Sequence, residues 1–143
     1  MIFKNILLPY NGTKGSQKAF KKAVTLAQLT KSKLTILTCL EECSTFGLFK
    51  TKANRQNFER ERKHVILEHA KLDEYAKKHR VSPSFKIIKS SIASRTILEY
   101  AEKHKTDLIV LGRKKMTRYE KIHFPSTIED ISKNFDGALL IIN

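Results

Sequence analysis

The sequence predicts an α/β fold, an open, doubly wound, five-stranded parallel sheet with helices on both faces. Three observations carry that prediction. Apolar runs of strand length recur along the chain, and segments with apolar residues at three-to-four spacing lie between most of them. The runs Ile2–Leu8 and Asp107–Leu111 end abruptly in Pro9-Tyr10-Asn11-Gly12 and in Gly112-Arg113. A helix joining two parallel strands of one sheet makes a right-handed crossover, which lays the helix over the sheet. The 143 residues are expected to form one domain over 1–143, long enough to enclose a hydrophobic core without disulfides or metal.

Taken in order, Ile2 to Leu8 has the composition of a strand buried on both faces, and the turn at Asn11-Gly12 closes it. From Lys14 to Thr30, Ala19, Phe20, Ala23, Val24 and Ala27 share one helical face, with Lys14, Lys18, Lys21 and Lys22 mostly on the other and Thr13 or Ser16 as N-cap. Leu34 to Leu40 is a β-branched and apolar second strand. Glu41 to Asn57 shows no sustained period and reads as a long surface loop. Phe58, Val65, Leu72 and the neighbours Ile66, His69 and Ala76 fit one face of a long helix ending near Arg80, before Ser82-Pro83. Ser84 to Lys89 is a brief strand, Ala93 to His104 a helix carrying Ile97, Leu98 and Ala101, and Asp107 to Leu111 the clearest buried strand. Ser126 to Phe135 and Ala138 to Ile142 then read as a last helix and a last strand.

Hydrophobic residues at 41% and charged residues at 29% exclude a disordered or fibrous chain. No run approaches the roughly 18 apolar residues of a membrane helix, and Met1-Ile2-Phe3-Lys4-Asn5 lacks the layout of a signal peptide. Two cysteines, Cys39 and Cys43, are too few for a disulfide scaffold, so a cytoplasmic setting is expected. The net charge of +14 gives the surface a field that favours anionic partners. Cys39, Cys43, His64 and His69 do not have the spacing of a zinc site, and no metal is expected. Gly12-Thr13-Lys14-Gly15-Ser16 lacks the spacing of a phosphate-binding P-loop and reads as a tight turn into the first helix.

Ile6-Leu7-Leu8-Pro9-Tyr10-Asn11-Gly12-Thr13, Ile97 to Glu102 leading into Asp107 to Gly112, and the apolar last strand occur in an order that resembles a single-domain universal stress protein over nearly the whole chain. The resemblance implies an adenine nucleotide alpha hydrolase-like architecture, and a nucleotide-binding pattern G-x2-G-x9-G-[ST] after the fourth strand. Gly112 and Ser126 match its first and last positions, whereas Lys115 and Pro125 replace the second and third glycines. A side chain there obstructs close approach of the backbone to an anion, and proline removes an amide donor as well. The family's aspartate after the first strand is Asn11 here, which can donate and accept but carries no charge. The resemblance further implies that the end of the second strand touches the base, so that Cys39 would contribute its backbone. It also implies dimerisation through the last strand, Ala138, Leu139, Leu140, Ile141 and Ile142.

Arg113, Lys114, Lys115, Arg118 and Lys121 crowd the loop after the fourth strand. Two readings stand: a solvated charged face, or a patch that neutralises phosphate through side chains in place of lost amides. Ser126-Thr127-Ile128-Glu129 is also a capping box, which gives Ser126 a structural role beside any ligand role. No esterase elbow, zinc-protease helix or dinucleotide fingerprint occurs, so no enzyme is expected. The leading expectation is a non-catalytic stress-response protein, a dimeric binding or regulatory module with weakened adenine-nucleotide binding through Pro9, Asn11, Gly12, Cys39, Gly112, Lys115, Ser126 and Thr127. No cofactor is required by this reading, and ATP or another adenine nucleotide is the ligand the resemblance allows. The alternative is electrostatic binding of a polyanion, nucleic acid without sequence specificity or an acidic surface.

Overall fold

The computed structural model describes residues 2–41, 52–113 and 127–143. In chain order these form β1 (Asn5–Pro9), α1 (Lys14–Thr30), β2 (Lys33–Glu41), α2 (Lys52–Lys78), β3 (Ser84–Ser90), α3 (Ala93–Lys103), β4 (Leu108–Gly112), α4 (Thr127–Asn134) and β5 (Ala138–Ile142). All strand pairs are parallel, in the order β3-β2-β1-β4-β5. The chain winds outward from β1 through β2 to β3, then returns to the other side of β1 for β4 and β5. Strand order therefore reverses between β1 and β4, where the crossovers diverge to opposite sides and leave a crevice at the carboxyl rim.

Alternation along each strand sorts side chains between two cores. Ile6, Leu8, Leu34, Ile36, Leu108 and Val110 join Phe20, Ala23 and Val24 of α1 and Ala76 of α2 on one face. Leu7, Leu37, Ile109 and Leu111 join Ile97 and Ala101 of α3 and Ile131 of α4 on the other. Each large aliphatic side chain buried in this way contributes about 1.5–3 kcal/mol. At the amino rim Asp107 ties β1 to β4, its carboxylate accepting from the backbone N–H of Lys4 at 2.8 Å and of Asn5 at 3.0 Å.

The expected loop over Glu41 to Asn57 is corrected at both ends, since β2 runs to Glu41 and α2 begins at Lys52. The residues from Lys52 to Asn57 include Lys, Ala, Arg and Gln, which favour helix without supplying an apolar period. The rest of that stretch, 42–51, lies outside the described residues. Among the described residues no helix is long and apolar enough to cross a membrane.

α2 is pinned to the sheet by a buried polar contact. His69, 6% exposed, has its Nε2 2.9 Å from the Thr38 hydroxyl of β2, and its ring packs against Phe85 of β3 with centroids 4.9 Å apart and planes tilted by 35°. Burial holds the imidazole below its ordinary pKa of 6.5, because the charged form loses hydration there. The unfolded chain takes up that proton first as pH falls. The stability due to neutral His69 is thus complete above the unfolded value and is lost as pH drops from there through the depressed folded value. Urea unfolding at pH 7.5 and pH 5.5 is expected to show this loss in the wild type, and to show a smaller one in His69→Gln, which keeps a partner for Thr38 but cannot titrate.

Candidate functional site

The turn after β1 is built from its own side chains. Asn11 Oδ1 accepts from the Thr13 hydroxyl at 2.7 Å and from the Thr13 N–H at 3.2 Å, an Asx turn that Gly12 completes at φ +81°. Thr13 Oγ1 in turn accepts from the Ser16 N–H at 3.2 Å, so Thr13 is the N-cap of α1. Before the turn, the Tyr10 N–H donates to the Leu37 carbonyl at 2.9 Å and keeps the end of β1 against β2.

The end of β4 meets this turn backbone to backbone. A Cβ on Gly112 would stand 2.1 Å from the Gly15 oxygen and 2.6 Å from the Ser16 nitrogen, and one on Gly15 would stand 2.9 Å from the Arg113 oxygen. Gly112 lacks a positive φ, so its need for glycine is contact, not conformation. The sequence reading assigned Gly112 to ligand approach; the structure gives it the prior task of letting β4 reach the first turn of α1. The Arg113 N–H donates to the Ile142 carbonyl at 2.8 Å, which joins the same corner to β5.

Beside this corner, on the face covered by α1 and α2, lies an open cleft of about 660 Å³. The β1–α1 turn, the end of β2 and one wall of α2 enclose it, through Asn11, Gly12, Thr13, Thr38, Cys39 and Leu40 below and Arg60, Glu61, His64 and Glu68 above. The Cys39 side chain packs with the Leu37 core on the opposite face, so the main chain of Cys39 is what the cleft receives. A larger groove of about 880 Å³ between α3 and α4 touches neither rim turn.

The cleft brings together three of the expected site residues, Asn11, Gly12 and Cys39. Pro9 ends β1 in register with Leu37, Gly112 is committed to Gly15, and Thr127 opens α4 as an exposed residue; none of these three lines the cleft. Of the basic patch, Arg113 is exposed just past β4, whereas Lys114, Arg118 and Lys121 lie outside the described residues, as do Lys115 and Ser126.

Among the described residues the cleft carries mixed charge, Arg60 beside Glu61 and Glu68. Glu68 Oε2 stands 3.3 Å from the point a Cβ on Gly12 would occupy, and its other oxygen is 3.6 Å from His64 Nε2. Tyr10 beneath is raised above its ordinary pKa, first by burial and then by the Glu68 charge, against a bond to Gln17. Sequence reasoning did not assign this α2 wall to the site. Its signal was available, because Glu61, His64 and Glu68 follow one another at three and four residues and so share a helical face. Among the described residues no three His, Cys, Asp or Glu side chains converge as metal ligands. The arrangement offers hydrogen-bond donors, acceptors and mixed charge around an open space, which is the equipment of a binding site.

Residues 2–143 match the Universal stress protein family. The chain belongs to the universal stress protein family. Among solved structures it is similar to the universal stress protein UspA from Lactobacillus plantarum, at 23% identity over 98% of this chain and 97% of that one, with a TM-score of 0.82. A universal stress protein in complex with cAMP is 18% identical over 99% and 97% of the two chains, with a TM-score of 0.68. The universal stress protein from Archaeoglobus fulgidus in complex with dAMP is 14% identical over 100% of both, with a TM-score of 0.65. These likenesses establish that the five-stranded parallel architecture is the family's own.

The Gly112–Gly15 contact has a measurable consequence for this universal stress protein. Backbone atoms on both sides leave no flexible side chain to yield, so Gly112→Ala is expected to cost about 3 kcal/mol, the upper part of the overpacking range. The urea midpoint should fall accordingly; an unchanged midpoint would show that the corner relaxes freely.

Proposed function

We propose that this universal stress protein is a non-catalytic, dimeric binding module of the stress response. Its ligand is an adenine nucleotide or a related anionic small molecule, held in the cleft over the β1–α1 turn. The observation that carries the reading is the cleft's position, at the carboxyl rim beside the reversal of strand order, where open α/β sheets take their ligands. Its volume of about 660 Å³ falls within the range of about 300–1,000 Å³ for small-molecule sites. Two proteins of the same fold were solved in complex with cAMP and with dAMP, which supports an adenine ligand for this one. In the proposal Asn11, Gly12 and the main chain of Cys39 contact the ligand directly, while Pro9 and Gly112 hold the rim that presents them. Lys115, Ser126 and Thr127, with Arg113, Lys114, Arg118 and Lys121, serve its phosphate side.

Isothermal calorimetry with ATP, ADP, AMP and cAMP tests this. AMP or cAMP is expected to bind with a Kd of about 10–100 μM, roughly −7 to −5.5 kcal/mol. His64→Trp, at a 72% exposed position on the cleft wall, should weaken that binding at least about tenfold by filling space, with thermal stability unchanged. No saturation by any of the four at millimolar concentration would overturn the reading.

The proposed dimer forms through β5. That strand is an edge of the sheet, paired to β4 alone among the described strands, and its Leu140 is 38% exposed. An uncharged edge strand presents unpaired backbone groups that a second copy can satisfy across a two-fold axis. Sedimentation equilibrium should find a dimer at micromolar concentration and a monomer for Leu140→Lys, which places like charges together at the axis. A monomeric wild type would contradict this part of the proposal.

A further inference from the structure

The first turn of α1 has the makings of an anion site that the cleft itself then obstructs. Thr13 accepts from the Ser16 N–H, but α1 carries no acidic residue in its first turn, and the partial positive charge of the helix start is directed toward the rim. Glu68 answers that charge from across the cleft. Its carboxylate lies over Gly12, within 3.3 Å of where a side chain on Gly12 would begin, and its side chain is 30% exposed. It is not free to swing away with a flexible loop, because it belongs to α2 one residue before His69, which is fastened to Thr38 at 2.9 Å. The groups that face it are mixed: His64 at 3.6 Å on its own helix, Arg60 and Glu61 further along the same wall, and Tyr10 from the end of β1.

We infer that Glu68 sets the charge preference of the cleft, barring phosphate from the β1–α1 turn and accepting hydrogen bonds there from the uncharged end of a nucleoside. Asn11 cannot do this work alone, since its Oδ1 already accepts twice from Thr13. Glu68 is the carboxylate set over this turn, and an ionised carboxylate only accepts. It repels a phosphate oxygen at contact distance, while hydroxyl or amino hydrogens are attracted to it. The ligand class that fits is a nucleoside or nucleoside monophosphate entering with its hydroxyl or amino groups toward Glu68 and any phosphate turned away from it. The inference rests on the nucleotide reading above and adds the orientation and the charge of the ligand.

Calorimetry on the wild type, Glu68→Gln and Glu68→Ala, with adenosine, AMP and inorganic tripolyphosphate as probes, separates the two claims. The wild type is expected to bind adenosine and AMP at least about tenfold more tightly than tripolyphosphate. Both variants should bind tripolyphosphate at least about tenfold more tightly than the wild type does, and Glu68→Ala, which removes the acceptor, should bind adenosine about threefold less tightly. If the variants fold with unchanged thermal stability and neither gain affinity for tripolyphosphate nor lose it for adenosine, the role of Glu68 is overturned. If they gain affinity for tripolyphosphate while no protein prefers an adenine compound to it, the effect of Glu68 on phosphate stands and the nucleotide reading fails.

Discussion

The close approach of β4 to α1 is the constraint on which the rest of this molecule depends. Helix and strand backbones normally stay apart by the thickness of their side chains, and here that thickness is removed by placing glycine at both Gly15 and Gly112. The first turn of α1 is thereby drawn down to the rim exactly where strand order reverses. The Asx turn at Asn11, the N-cap at Thr13 and the positive φ of Gly12 all follow from the need to leave β1 and enter a helix that begins this close to the sheet. Asp107 performs the complementary task at the opposite rim, so β4 is fixed at both ends, to β1 at one and to the start of α1 at the other.

Once that corner is fixed, α2 decides what the rim can hold. It crosses the same face of the sheet as α1, and the His69–Thr38 contact settles its height above β2. Val65, His64 and Glu61, one and two turns before His69, are carried out over the rim together with its neighbour Glu68, and all four line the cleft. A buried neutral histidine thus positions an exposed, charged helix wall. Burial of the imidazole costs little as long as it stays uncharged and keeps its hydroxyl partner, which links the integrity of the wall to the protonation state of one core residue.

Most of the architecture was legible in the sequence, and the parts that were not share physical causes. The strands stood out because a parallel sheet buried on both faces demands apolar residues at consecutive positions, as Leu108 to Leu111 show. The start of α2 was hidden because Lys52 to Asn57 has helix-forming residues but no apolar face to betray it. The ends of α1, α2 and α3 were legible to within two residues, although Lys31, Arg80 and Lys105, and not glycine, adopt positive φ after them. A left-handed conformation costs such residues about 1–2 kcal/mol, so these ends carry no glycine signal and were read from where the apolar period stops. In the site, Asn11, Gly12 and Cys39 were legible because they adjoin strand ends, which topology brings together. The α2 wall was not, since Glu68 is 56 residues from Gly12 in sequence and only the height of α2 over the sheet makes them neighbours.

The net charge of +14 and the carboxylate over Gly12 act at different ranges. A surplus of exposed lysines, among them Lys14, Lys18, Lys21 and Lys22 on α1, raises the concentration of anions near the surface without selecting one from another. That attraction is screened over a Debye length of about 8 Å in physiological salt, whereas a carboxylate at contact distance is screened far less. Anions drawn in by the whole surface are therefore sorted by the few groups they touch. A basic composition bears on what approaches such a protein, and in the proposed reading the charge that discriminates among ligands is the one that opposes the rest of the surface.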